Sequence, residues 1–222
     1  MVRMRIDDYV SELHSALRGP QGPKHDLVVE ARDSLIDTAD ALESDGLSRA
    51  EAERLAVEEF GRIREIAPGY QAELTATAGR RMALLLFVSV PATVFAWSLV
   101  WEFYPAELGT WATLPSWYGT VSRLLDIVQL TVGLYGGLAL LALSRGSYWI
   151  THPRLVTRSL GVAVWVMLPL TTALGLLLAH DSHAPTAPAD FPPLLLANLL
   201  TYGFAGVQLY CATRCIRLTR TA

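Results

Sequence analysis

Cys211 and Cys215 stand one helical turn apart, a spacing at which two thiolates can share a soft metal. His180, Asp181, His183 and Asp190 gather the nitrogen and oxygen donors that a divalent cation takes. Neither set closes. There is no further cysteine to complete the first, and Ala-Pro-Thr-Ala-Pro separates Asp190 from the rest of the second. Apolar packing is therefore the preferred reading of the thiols, and a solvated loop that of the histidines. The chain also contains no P-loop, no Rossmann glycine fingerprint, no Gly-x-Ser-x-Gly elbow and no His-Glu-x-x-His pair. No enzyme, metal or cofactor is expected from these residues.

Other polar groups lie inside apolar stretches: Asp126 and Gln129 in one, Asn198, Tyr202 and Gln208 in another. In hydrocarbon such groups are costly unless partnered. They admit two readings, a small polar cavity built around Asp126, or hydrogen bonds between helices with Asp126 near enough to an interface to reach water. The second is the simpler. Gly133 and Gly137 form a Gly-xxx-Gly pair that lets another helix approach closely, from this chain or from a second copy. Pro91 and Pro169 each remove one N–H in mid-stretch and are read as static bends.

The elements that must carry these groups follow from composition. Of 222 residues 52% are hydrophobic and 18% charged, and the mean hydropathy of +0.33 is too high for an ordinary water-soluble domain. Four apolar stretches, Met82 to Trp101, Leu124 to Leu143, Leu160 to Ala179 and Pro193 to Thr213, reach the length of about 20 residues needed to cross a bilayer. They lack the polar stripe of a soluble amphipathic helix.

Arginines set the expected orientation, because Lys and Arg in short flanking loops stay on the cytoplasmic side. Arg80 and Arg81 precede the first stretch, Arg145, Arg154 and Arg158 lie between the second and third, and Arg214, Arg217 and Arg220 follow the fourth. The other two connections hold only Arg123. Both termini are thus expected in the cytoplasm. The N-terminus has no apolar signal-peptide core, in keeping with that. Tyr104, Trp111, Trp117 and Tyr118, between the first two stretches, are rings suited to headgroup depth.

Residues before Arg81 are acidic, with 16 Asp+Glu against 10 Lys+Arg, and their apolar spacing predicts short soluble helices. Ile6, Val10, Leu13 and Leu17 give a first helix its inner face, ending at Arg18-Gly-Pro-Gln-Gly-Pro. Leu27, Ala31, Leu35, Thr38 and Leu42 line a second, which stops near Gly46. Ser48-Arg-Ala-Glu51 reads as a capping box opening a third, with Ala52, Leu55, Ala56 and Phe60 inward and Gly61 at its end. Ile63, Ile66 and Tyr70 form a further short apolar set, and the polar run from Tyr70 to Arg81 is a candidate helical linker. His14 and His25 are expected to be exposed. The negative charge argues against direct DNA contact. The expected fold class is all-α: a small cytosolic helical domain over residues 1–78, then a four-helix transmembrane bundle over residues 79–222.

A resemblance rests on Glu30-Ala-Arg-Asp-Ser-Leu-Ile-Asp-Thr-Ala-Asp-Ala-Leu-Glu-Ser-Asp-Gly46, on Leu-Ser-Arg-Ala-Glu-Ala-Glu-Arg-Leu-Ala-Val-Glu-Glu-Phe60-Gly61, and on Glu65-Ile-Ala-Pro-Gly-Tyr70-Gln. This part of the chain, about a third of it, resembles the HAAS or permease-prefix helical domain at the N-terminus of many bacterial membrane proteins. The resemblance implies either a prefix to an ABC-type permease or a domain on a few spans encoded beside a PadR-like transcription regulator. The single lysine, Lys24, among 18 Lys+Arg suggests a high-GC actinobacterial coding bias.

The leading expectation is a signalling or regulatory protein of the bacterial plasma membrane. Its cytosolic domain would bind a protein partner, a PadR-like regulator by resemblance, through the outward acids Asp33, Asp37, Asp40, Glu58 and Glu59. A small permease or exporter subunit is the alternative, and self-association is compatible with both.

Overall fold

The computed structural model describes residues 5–103, 115–144, 153–181 and 192–220. Among them the protein is all-α: α1 (Ile6–Ala16), α2 (Gln21–Ser44), α3 (Arg49–Phe60), α4 (Ile63–Phe103), α5 (Tyr118–Ser144), α6 (Pro153–Asp181) and α7 (Pro192–Arg220). The helices α4 to α7 are each long and apolar enough to cross a membrane. The chain divides into two units, one of Met1–Ala78 with Leu218–Ala222, the other Gly79–Arg217.

The core of the first unit is built from α1, α2, α3 and the start of α4. Ile6, Tyr9, Leu13 and Leu17 recur every three or four residues on α1 and are buried, together with Val28, Ala31, Leu35 and Ala39 of α2, Ala52 and Ala56 of α3, and Leu74 of α4. Small alanines on facing helices let the backbones approach while the leucines fill the space between them. Tyr9, and not Val10, takes the central place on α1, being only 1% exposed. Its ring meets Phe60 edge-on at 5.8 Å, and its hydroxyl donates to the Gly61 carbonyl at 2.9 Å. Gly61 has φ +103°, a left-handed conformation that glycine adopts without Cβ strain, and this ends α3.

The end of α1 is tied to α4 by a two-bond clamp. The Arg18 N–H donates to Gln71 Oε1 at 2.9 Å and Gln71 Nε2 donates to the Arg18 carbonyl at 2.8 Å.

Several expectations need correction here. The inward stripe of α2 is turned slightly from the expected one, so that Thr38 is half-buried and its hydroxyl donates to the Ser34 carbonyl. Leu27, Val28 and Val29 are three consecutive apolar residues, so spacing alone does not fix which leads the stripe. Part of the proline-glycine turn is helical: α2 begins at Gln21 and holds Pro23 in its first turn, where a missing N–H costs nothing. Ser48 does precede α3, but its hydroxyl makes no capping bond. The apolar set at Ile63, Ile66 and Tyr70 and the run from Tyr70 to Arg81, expected as a helical linker, belong to one helix, α4, unbroken from Ile63 to Phe103.

In the second unit, α4 to α7 form an antiparallel ring in chain order. Gly133, Gly136 and Gly137 of α5 lie against Val90, Leu86 and Phe87 of α4. The Tyr135 hydroxyl of α5 pairs with Ser159 of α6 at 2.5 Å. Gly161 of α6 lies against Ala212 and Ile216 of α7, and α7 returns to α4 through Gln208 and Ser89. Pro91 and Pro169 stay inside α4 and α6 with their rings exposed. Thr93, Thr131 and Thr213 in these apolar helices donate to carbonyls one turn back at 2.7 to 2.8 Å, which spares those three hydroxyls from facing hydrocarbon without a partner.

Candidate functional site

The outer face of α2 is the strongest candidate in the first unit. Its inward stripe is consumed by the core, so the opposite face collects the polar residues. Asp26, Glu30, Asp33, Asp37 and Asp40 follow at intervals of four, three, four and three, which places them on one side of the helix, all exposed. A shallow open groove along this face is also lined by His25, Val29, Ser34 and Thr38.

Their electrostatic surroundings differ. At the end of α2, Asp40 and Glu43 both pair with Arg49 of α3, Glu43 at 3.0 Å, and Glu53 joins them at 3.2 Å. The hydrogen bonds that Arg49 donates to Asp40, Glu43 and Glu53 hold its guanidinium above its ordinary pKa. By contrast Asp33 and Asp37 make no ion pair among the described residues. Of the five acids expected to contact a partner, Asp33, Asp37 and Asp40 therefore share one face, and Asp40 is already engaged. Glu58 and Glu59 are exposed on α3, where Glu58 pairs with Arg54 at 2.8 Å. The sequence carries a signal for the Arg49 hub, since Glu53 lies one turn along α3. Its link to α2 depends on how the two helices pack.

In the second unit the polar residues do not converge. Gln208 is 4% exposed, and its Nε2 donates to Ser89 Oγ at 2.7 Å across α7 and α4. Asn198 turns back on its own helix, donating to the Leu194 carbonyl at 2.9 Å. Tyr202 points away from the bundle, 72% exposed, and Asp126 is exposed on α5 with Gln129 half-buried nearby. A second cross-helix bond, Trp97 Nε1 to Thr201 Oγ1 at 3.0 Å, runs along the same α4–α7 seam. Spacing gives no sign of either bond, because the partners are more than a hundred residues apart.

Removing the Gln208 contact tests its worth. Hydrogen bonds between membrane helices average about 0.6 kcal/mol, so a Gln208→Leu, Ser89→Ala double-mutant cycle in detergent unfolding should give a coupling of about that size. Strict additivity would show that the contact contributes nothing.

The glycines of α5 make their close approach within the chain. A Cβ at Gly133 would stand 3.3 Å from Val90, and one at Gly137 2.8 Å from the Phe87 ring. Gly136 is tighter in kind: its Cβ would lie 2.9 Å from Leu86 Cβ and 3.1 Å from the Ala83 carbonyl oxygen. The Gly-xxx-Gly pattern points to its two neighbours and passes over Gly136, which meets backbone.

Cys215 is buried and Cys211 half-buried, and neither is in a disulfide among the described residues. Among the described residues no three His, Cys, Asp or Glu side chains gather as a ligand set. His183, Asp190, Tyr104 and Trp111 lie outside the described residues, as do the side chains of His180 and Asp181. Comparison with known proteins finds no matching family model, no similar curated protein and no similar solved structure.

Proposed function

We propose that this is a membrane-anchored regulatory protein whose helical unit docks a protein partner through the outer face of α2. The carrying observation is the run of exposed carboxylates on that face, with Asp33 and Asp37 unengaged by any described cation. A basic surface is the complement such a face selects, because opposite potentials steer encounter and suppress wrong partners. The resemblance to HAAS domains makes a PadR-like transcription regulator the partner to test first. The spans tether this unit in the bacterial plasma membrane with both termini cytoplasmic, a topology supported by arginines at the same end of α4, α6 and α7. The lack of catalytic motifs in the sequence agrees with a regulatory and not an enzymatic role.

Co-purification of tagged full-length protein from its host in mild detergent tests this. Recovery of a basic regulator is expected, falling by about tenfold or more with Asp33→Lys and Asp37→Lys. Retention unchanged after reversal of all of Asp33, Asp37, Asp40, Glu58 and Glu59 would remove the acidic face from consideration. Recovery of an ATPase or larger permease, equally with a chain lacking Met1–Ala78, would replace this proposal with a transporter subunit.

A further inference from the structure

The described arginines of the second unit, Arg123 apart, are gathered at one end. Gly79 of α4 lies against Thr157 of α6 and Leu143 of α5, and Gly161 of α6 lies against Ala212 and Ile216 of α7, so these positions share a level in the bundle. Arg80 and Arg81 follow Gly79, Arg158 follows Thr157 with Arg154 one turn before it, and Arg214 and Arg217 flank Ile216. Arg80 also donates to the Leu143 carbonyl at 3.4 Å, holding it at that level. Arg123 is the described exception, at the opposite end with Glu102 and Asp126. No described carboxylate of this unit lies at the arginine end.

Arg81, Arg158 and Arg214 make no ion pair among the described residues. Arg214 rests on Tyr210, its guanidinium carbon 6.0 Å from the ring centre and Nη1 3.3 Å from the hydroxyl. Each of the three has an exposed apolar or aromatic side chain one helical turn toward the bundle's middle on its own face. These are Leu84 for Arg81, Val162 for Arg158 and Tyr210 for Arg214, exposed by 50%, 47% and 65%. Cations capping apolar flanks match an amphiphile and not a free anion, which has nothing to place on Leu84 or Val162. Guanidinium forks suit phosphate oxygens, and basic clusters at the ends of spans hold anionic headgroups.

We propose that this end of the bundle binds anionic phospholipid, with Arg81, Arg158 and Arg214 on headgroup phosphate and Leu84, Val162 and Tyr210 against the first acyl carbons. The assignment rests on α4 to α7 crossing the bilayer, and is independent of what the acidic face of α2 binds.

The test uses full-length protein in nanodiscs of phosphatidylcholine, with and without phosphatidylglycerol, reading lipid retention by native mass spectrometry and the thermal midpoint. Phosphatidylglycerol should be retained over phosphatidylcholine by roughly tenfold or more, and the midpoint should rise with it. The preference should vanish in Arg81→Gln, Arg158→Gln, Arg214→Gln protein, survive replacement of the same three by lysine in reduced form, and be untouched by Arg123→Gln. Equal retention of both lipids by the wild type, or a preference equally weakened by Arg123→Gln, overturns the site. So does inorganic phosphate, added to phosphatidylcholine nanodiscs, raising the midpoint as far as the lipid does. Failure of the protein to enter nanodiscs at all would instead overturn the spans on which the assignment rests.

Discussion

Replacing Gly136 by leucine is expected to destabilise the second unit by about 3 kcal/mol or more, because the new side chain meets structure that cannot yield. The first added carbon alone would stand 2.9 Å from Leu86 Cβ and 3.1 Å from the Ala83 carbonyl oxygen. A flexible side-chain tip can rotate away, but a Cβ and a helical carbonyl move only if α4 and α5 separate. Separation would also disturb Val90 against Gly133 and Phe87 against Gly137, so the seam gives along its length. Thermal unfolding in detergent should show a much lowered midpoint. Gly175→Leu is the matched control: nothing lies within 4 Å of its Cβ position, so a change within about 0.5 kcal/mol is expected. Equal effects at the two glycines would mean that helix propensity, and not the close approach, decides the outcome.

In the first unit the largest single loss is expected from Tyr9→Ala. This removes a fully buried ring, the edge contact with Phe60 and the bond to the Gly61 carbonyl together. Truncations of this kind cost about 3–5 kcal/mol, much of the stability of a domain this small, at roughly 0.1 kcal/mol per residue. Limited proteolysis of the full-length protein should cut within the first unit far faster than in wild type. Tyr9→Phe keeps the ring and loses only the hydroxyl, so a cost of about 1 kcal/mol is expected. A proteolysis rate for Tyr9→Ala matching that of Tyr9→Phe would show the ring to be dispensable.

The Tyr9 phenol also carries a pH signature. Burial, and then Tyr70 and Glu12, raise its pKa above the ordinary value, so the folded protein holds the proton more tightly than the unfolded chain does. The resulting stability is whole below about pH 10, where neither state has ionised, and is lost as pH rises through the folded-state value. Tyr9→Phe should flatten that alkaline limb in the stability of the first unit.

Much of the architecture was legible because it follows from one-dimensional patterns. Met82 to Trp101, Leu124 to Leu143, Leu160 to Ala179 and Pro193 to Thr213 all fall inside helices able to cross a membrane, since apolar length alone decides that. Legibility fails where a choice depends on a distant partner. Tyr9 and Val10 both fit the period of α1, and only the Gly61 carbonyl, 52 residues away, gives the phenol a reason to turn inward. Ser48 and Glu51 have capping-box spacing, yet Ser48 leaves the cap unmade while its neighbour Arg49 draws in Asp40, Glu43 and Glu53. Asp126 and Gln208 look alike as polar residues in apolar surroundings. One is exposed and the other bonded in the α4–α7 seam, and helix order in the bundle makes that difference.

The contiguity of the first unit's core bears on how the chain is made. The residues of its hydrophobic cluster lie between Ile6 and Leu74, so that cluster can close before the later part of the chain is made. Small helical domains fold in microseconds to milliseconds. At about 5–20 residues per second, Phe103 leaves the ribosome roughly 1.5–6 s after Leu74. The nascent chain thus presents a finished knob before its first apolar helix has fully emerged. On the proposed topology, with the N-terminus in the cytoplasm, early folding would act in the same direction as the arginines, since a folded domain does not thread a narrow translocation pore.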